Sequence, residues 1–424
     1  LLLKPAGASA LDAKYWEDVA GVLGAGGNPY VSTARLNYAP FWMQCIWGMS
    51  RLAEWMGVSF ASVLWGALIA AESAVVVLMF RLMWEVGRSS EVREDPLGGA
   101  EVGNGAGDAR CRRRVMLWGV ALNPAMVFQV CQHGNFDVMM AAWVVLFLTG
   151  VVRFGRSGDG VDWLGACLWL GLGVLTKTVP LALVPLLAVG ARGLGWKVIR
   201  LGGGLVVGPA ALAMSVAYVL APEAVWGNVV RYRSLPGWYG VTGLLHLAGA
   251  GRAGLERYGA VFSWVLVAWL IGGTWWLWGS SRHGGPPSGR PSGRWVVLLA
   301  GVVMLALPTL GPGYGPQYVW WYWPGVLVGY AAYEARWWRR LLLAAGAVLV
   351  VTYVSEYLTG SGMGGWMDEA WGRRWEGMRG QTLMRLPLFL ASLAVLVSGV
   401  VMLRREANAA GDGAIPNAAG TSGR

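Results

Sequence analysis

Asn123-Pro124-Ala125-Met126-Val127-Phe128-Gln129-Val130-Cys131-Gln132-His133-Gly134-Asn135-Phe136-Asp137 is the stretch that decides the fold. It closes one apolar run, 115–132, and opens another, 137–152, with an imidazole and a carboxylate four positions apart beside a glycine at the turn between them. Back-to-back apolar runs of this kind are membrane helices. Ionisable side chains at a membrane boundary are costly to desolvate, so His133 and Asp137 mark a site by default.

The same pattern extends outward along the chain. Apolar spans are expected at 59–80, 115–132, 137–152, 163–176, 178–191, 198–220, 258–279, 295–310, 318–334, 341–357 and 386–403, about 11 transmembrane helices in an all-α, polytopic membrane protein. Composition agrees: 56% of the 424 residues are hydrophobic and 13% are charged, too few charges to cover a soluble domain of this length. The runs at 163–176 and 178–191 are short and carry Pro180 and Pro185, so a broken or re-entrant pair is expected there. Leu1-Leu2-Leu3 reads as the tail of an apolar segment, with a first helix expected to be missing.

Segment 39–57 behaves differently. Phe41, Trp42, Cys45, Ile46, Met49, Leu52, Ala53 and Met56 recur at helical spacing, while Gln44, Arg51 and Glu54 interrupt the apolar surface, which suits a helix lying in the interface. With 39–57 not crossing, one set of loops and their margins holds 21 of the 34 Lys and Arg and the other holds 13, so the first set belongs in the cytoplasm. The chain then divides into an outer first loop with interfacial helices (1–58), a transmembrane unit (59–403) and a disordered cytoplasmic tail (404–424). Residues 1–58, the His133–Asp137 turn, Lys177 and the loops at 221–257 and 311–317 all fall on the outer side.

The net charge of +11 comes from Arg in short loops flanking the spans, so no nucleic-acid partner is expected. The four cysteines have no metal-type spacing and form no evident disulfide framework.

Several residues in those outer segments can carry chemistry, each with a plainer alternative. Asp12 and Tyr15 share a helix face, and a carboxylate there can take a proton from an acceptor hydroxyl; otherwise Asp12, Glu17 and Asp18 form a solvated first turn. His133 and Asp137 can grip a metal, a phosphate or a sugar hydroxyl, or simply cap a helix end; two ligands do not make a metal site. Lys177 lies between apolar runs, where an ammonium either meets an anion such as a lipid-linked phosphate or snorkels to the interface. Arg231 and Arg233, among aromatics and glycines, can clamp phosphate, stack on sugar rings, or belong to an interfacial belt. Gln317 can hydrogen-bond sugar hydroxyls, whereas Trp320, Trp321 and Trp323 are expected to anchor their helix.

Taken in order, these segments resemble a known pattern: an acidic residue in the first outer loop, Gly27-Asn28-Pro29-Tyr30, Tyr38-Ala39-Pro40, Asn123-Pro124 followed by His133-Gly134-Asn135-Phe136-Asp137, Lys177 ahead of Pro180, and Gly315-Pro316-Gln317-Tyr318 with Trp321 three positions on. The chain resembles the GT-C superfamily of integral-membrane glycosyltransferases, especially bacterial polyprenyl-phosphate-mannose-dependent mannosyltransferase-like members, over about residues 12–325. The resemblance implies hexose transfer, mannose by family weighting, from a polyprenyl-phosphate donor to a lipid or glycan acceptor at the outer face of the cytoplasmic membrane, generally with inversion. Asp12 matches the first-loop acid and becomes the candidate base, with Asp18 as the alternative because the family's acidic pair is here a single residue. His133 and Asp137 would hold donor or acceptor, Lys177, Arg231 and Arg233 would face the donor phosphate, and Gln317 and Tyr318 would line the sugar site. A divalent cation is left open, with no metal ligand assigned. The rival classes are a transporter or flippase of envelope glycan precursors, which would show ionisable groups near mid-membrane and internal repeats, and an inert envelope subunit.

Overall fold

The computed structural model describes residues 11–33, 38, 40–91, 123, 125–126, 136–230, 239–280, 292–312, 318–333, 335–358 and 371–412, excepting the side chains of 11–13, 89–91, 230, 280, 330–331, 353–358, 371–382, 384 and 409–412. Every regular element among them is a helix: α1 (Leu11–Gly24), α2 (Pro29–Ser32), α3 (Pro40–Met56), α4 (Phe60–Glu91), α5 (Asp137–Ser157), α6 (Gly160–Thr176), a 3₁₀ segment (Val179–Ala188), α7 (Trp196–Leu220), α8 (Pro222–Val225), α9 (Gly240–Leu247), α10 (Arg252–Ala268), α11 (Thr274–Ser280), α12 (Gly293–Leu310), α13 (Val319–Ala332), α14 (Arg336–Leu358) and α15 (Trp371–Asp412). A short 3₁₀ turn (Ala191–Gly193) and π-helical turns at Trp226–Val230 and Trp269–Gly273 complete the set.

The chain is an all-α, multi-pass membrane protein. Among the described residues, six spans are long and apolar enough to cross a bilayer: Phe60–Arg88, Asp137–Ser157, Trp196–Leu220, Arg252–Gly279, Gly293–Leu310 and Arg385–Asn408. Of the other expected spans, 163–176, 178–191, 318–334 and 341–357 coincide with α6, the 3₁₀ segment, α13 and α14. The run at 115–132 lies outside the described residues except for Asn123, Ala125 and Met126. The tail expected to be disordered from 404 instead continues α15 as far as Asp412.

One hairpin sets the geometry of the site. α5 ends at Gly158, whose φ of 69° is the left-handed conformation that closes a helix, and the Asp159 carboxylate accepts from the Val161 N–H at 2.9 Å to start α6. The chain thus reverses within two residues. α5 has 21 residues and α6 has 17, so the start of α5 and the end of α6 come out at the same end of the bundle.

Of the broken or re-entrant pair expected at 163–176 and 178–191, the break is what forms. Ten residues from Val179 to Ala188 run as a 3₁₀ helix, buried at most positions, and carry the chain back to the far end of α5, where Gly190 lies against Phe154. A 3₁₀ helix rises about 2.0 Å per residue against 1.5 Å for an α-helix, so ten residues travel about 20 Å. Pro180 falls in the first turn, where its missing N–H goes unused, and Pro185 removes one donor from the hydrogen-bond ladder inside the segment. The segment therefore passes through the bundle and does not re-enter.

Close backbone approach holds the other half together. A Cβ on Gly301 of α12 would stand 2.9 Å from the Gly325 backbone of α13, and the reverse substitution meets Gly301 at 2.9 Å. Glycine at both positions lets these helices touch along their axes, the usual device where lipid offers no hydrophobic driving force between helices. At the end opposite Asp137, the buried Glu85 carboxylate of α4 accepts from Arg153 Nε at 2.9 Å and Arg156 Nη1 at 2.8 Å on α5. Glu406 of α15 likewise gathers Ser292, Arg294 and Tyr333, tying the start of α12 and the end of α13 to α15.

Candidate functional site

The hairpin brings together two residues 40 positions apart. Asp137 opens α5 and Lys177 caps α6, and Lys177 Nζ donates to Asp137 Oδ1 at 2.7 Å. Asp137 is wholly buried and the Lys177 side chain is 15% exposed. Each sits at the helix end that suits its charge, the carboxylate at an N-terminus and the ammonium at a C-terminus. The other carboxylate oxygen, Oδ2, accepts from the indole Nε1 of Trp321 in the first turn of α13, at 2.9 Å. Asp137 therefore orients the ammonium, with both of its oxygens engaged by protein donors.

Aromatic rings surround the ammonium. Lys177 Nζ lies 4.9 Å from the Trp321 ring centroid, 5.1 Å from Tyr318, and 5.6 Å from both Phe136 and Tyr38. Each ring presents the negative face of its quadrupole to a cation, a stabilisation that grows as water is excluded. Behind this cage, Phe136 stacks on Trp42 of α3 at 4.2 Å, and Trp16 of α1 meets Phe136, Tyr38 and Trp42 edge-on. The first-loop helices are thereby fixed against the hairpin that carries the ion pair.

The Gly27–Tyr30 motif is a capped turn. Asn28 Oδ1 accepts from the Tyr30 N–H at 3.0 Å to start α2. The Tyr30 hydroxyl donates to the Tyr38 carbonyl at 2.7 Å; burial pushes its phenol well above the usual range, keeping it a donor at neutral pH. Asn228, on the π-helical turn, donates through Nδ2 to the Tyr30 carbonyl at 3.2 Å.

Of the residues expected from the sequence, Asp137, Lys177 and Tyr318 come together. Asp12 lies in the first turn of α1, one turn before Trp16, whose ring packs on the cage; the Asp12 side chain lies outside the described set. Asp18 is exposed, while Trp16, Val19 and Ala20 are buried, so Asp18 belongs to the face of α1 turned away from the core. His133, Arg231, Arg233 and Gln317 lie outside the described residues. Among the described residues, no group of three or more His, Cys, Asp or Glu side chains comes together around a metal position.

Two expectations need correcting. Trp320, Trp321 and Trp323 were expected to anchor α13 at the interface, yet Trp320 and Trp323 are core residues and Trp321 holds Asp137. The residues able to carry chemistry were expected on the outer side, yet Glu72 sits midway along the α4 span with Oε1 buried and, among the described residues, without a hydrogen-bond partner. Its letter was visible within the apolar run 59–80; Trp321 was visible as the end of the Gly-Pro-Gln-Tyr-x-x-Trp pattern, but nothing local named Asp137, 184 residues away, as its partner.

No family model matches the chain, and no curated protein does. Among solved structures, the chain is similar to ArnT from Cupriavidus metallidurans bound to undecaprenyl phosphate, at 14% identity over 95% of this chain and 75% of that one, with a TM-score of 0.48. The same protein in its apo state matches at 14% identity over 93% and 72% of the two chains, with a TM-score of 0.46. Overlap of that quality leaves function to be argued from the chain's own residues.

Proposed function

We propose that the chain is a membrane glycosyltransferase that moves a hexose, mannose on the family resemblance, from a polyprenyl-phosphate donor to a lipid or glycan acceptor at the outer face of the cytoplasmic membrane. The observation that carries the reading is the Lys177 ammonium, oriented by a buried carboxylate at one end of a membrane bundle and ringed by aromatics. Such a cation suits a phosphate whose lipid tail stays in the bilayer, and aromatic faces suit the C–H side of a sugar ring.

In this reading Asp12 takes the proton of the acceptor hydroxyl, and the freed oxygen attacks the anomeric carbon from the face opposite the phosphate. The bond between that carbon and the phosphate oxygen breaks, the electron pair leaves with polyprenyl phosphate, and configuration inverts. Lys177, with Arg231 and Arg233 where the sequence motif puts them, stabilises charge on the departing phosphate. Gln317, Tyr318 and His133 line the sugar and acceptor positions. Asp137 serves here by positioning Lys177, a narrower role than the donor or acceptor contact implied by the resemblance.

The test is transfer of radiolabelled sugar from a polyprenyl-phosphate donor by purified protein in nanodiscs. Transfer lost in Lys177→Met and Asp12→Asn but kept in Asp18→Asn supports the assignment; unchanged transfer in Asp12→Asn removes the base. One observation favours the transporter or flippase reading, the buried Glu72 Oε1 at mid-span, which has no hydrogen-bond partner among the described residues. Movement of a fluorescent lipid-linked sugar across proteoliposomes, abolished by Glu72→Gln, would replace transfer as the function.

A further inference from the structure

We infer that Trp269 is a positioning residue for the Lys177 site, whose indole N–H supplies the hydrogen bond that Pro185 removes from the 3₁₀ segment. The register of that segment is i to i−3: Leu181 N–H donates to Thr178 O at 3.0 Å and Val189 N–H to Leu186 O at 3.1 Å. In the same register the donor for Ala182 O would be residue 185, a proline with no N–H. Ala182 is buried within an apolar bundle where no water replaces a lost partner. Trp269 Nε1 donates to that carbonyl at 2.8 Å, from 87 residues away.

Two features of the donor's own helix fit it to this role. Trp269 opens the π-helical turn Trp269–Gly273, a local widening that re-aims side chains and recurs at functional sites. A Cβ on Gly273 would lie 2.9 Å from the Trp269 ring, so the indole can lie along the helix because residue 273 is glycine. At the last turn of the same segment, Trp163 Nε1 donates to Leu187 O at 3.0 Å. Two tryptophans thus tie a proline-bearing strut that begins two residues after Lys177, and the direction of that strut sets where the ammonium stands relative to Asp137. The link to phosphate rests on the reading of Lys177 proposed above; the repair of the backbone does not.

The test compares wild type, Trp269→Phe, Pro185→Ala and the double variant as full chains in nanodiscs. Three quantities are read below the melting temperature: deuterium exchange at residues 178–189, acetic-anhydride labelling of Lys177, and binding of dodecyl phosphate. Trp269→Phe should raise exchange and Lys177 labelling and weaken dodecyl phosphate by about five- to tenfold, the factor a net hydrogen bond is worth. The double variant should return all three toward wild type, because the alanine amide gives Ala182 O its donor back. Unchanged exchange and labelling in Trp269→Phe, or a double variant no closer to wild type, overturns the inference. So does a lowered melting temperature with Lys177 labelling unmoved, which would make Trp269 structural alone. Wild-type protein that binds no dodecyl phosphate, with labelling still rescued by Pro185→Ala, overturns the phosphate reading of Lys177 and leaves this inference standing.

Discussion

The ion pair at the head of the α5–α6 hairpin can be separated into its structural and functional parts by a three-variant cycle. Lys177→Met leaves the Asp137 carboxylate wholly buried without its ammonium. Breaking a buried pair by removing one partner costs about 3–5 kcal/mol, because the remaining charge stays desolvated. Asp137→Asn leaves an ammonium at 15% exposure with four aromatic faces within 5.6 Å, so its cost falls toward the lower end of that range. The double variant Asp137→Asn/Lys177→Met has no stranded charge, and its amide oxygen can still accept from Trp321. Replacing a buried ion pair by neutral groups of similar size is commonly near neutral, so the double variant should recover most of the loss. With about 2 °C per kcal/mol in large chains, Lys177→Met should melt about 6–10 °C below wild type, and the double variant should regain most of that interval. Melting in nanodiscs by static light scattering reads this directly, and sugar transfer on the same samples should be absent in both Lys177→Met and the double variant. A double variant that melts no higher than Lys177→Met refutes the claim that the pair's cost is the stranded carboxylate. A double variant that transfers sugar at the wild-type rate refutes a role for the ammonium in turnover.

Three further outcomes follow from the same structure. Gly301→Ala should lower the melting temperature, by an overpacking cost of about 1–3 kcal/mol, because its Cβ meets the Gly325 backbone at 2.9 Å; an unchanged melt would mean that α12 and α13 separate freely. Asp12→Asn should lower transfer by about 10²–10⁴-fold with little change in the melt, the range for removing a general base, while Asp18→Asn on the exposed face of α1 should leave the rate as it was. Glu72→Leu should raise the melting temperature by removing from mid-span a buried carboxyl oxygen that has no partner among the described residues, without altering sugar transfer; a drop in transfer would bring Glu72 into the reaction.

The helical membrane architecture was legible because apolar runs and their arginine-rich borders announce it by composition alone. The α5–α6 hairpin was legible too, since two runs of similar length joined by Gly158-Asp159 must bring residues 137 and 177 to one end. What the sequence did not reveal was that these two residues answer each other. Each was read as a ligand for a substrate, because an unpaired charge beside an apolar run invites an external partner. Trp321 was read as an anchor for the same kind of reason: tryptophan at a helix end has a strong generic explanation, and only the fold supplies the specific one. The 3₁₀ segment escaped because prolines 180 and 185 signal a break without saying whether the chain turns back or stretches on. Glu72 was the opposite case, plainly present within an apolar run but absorbed into its average hydropathy.

An ammonium that already has its own counter-ion behaves differently from a bare one over repeated turnovers. Between substrates, Lys177 and Asp137 leave no excess charge facing hydrocarbon, so the vacant protein can persist without a lipid to neutralise it. In the proposed role, an arriving phosphate would share the cation with a resident carboxylate, which would moderate its grip. Under the proposed function, with a carrier lipid that has to be released, that moderation would favour discharge over trapping, and the pairing behind it is set by the lengths of two adjacent helices.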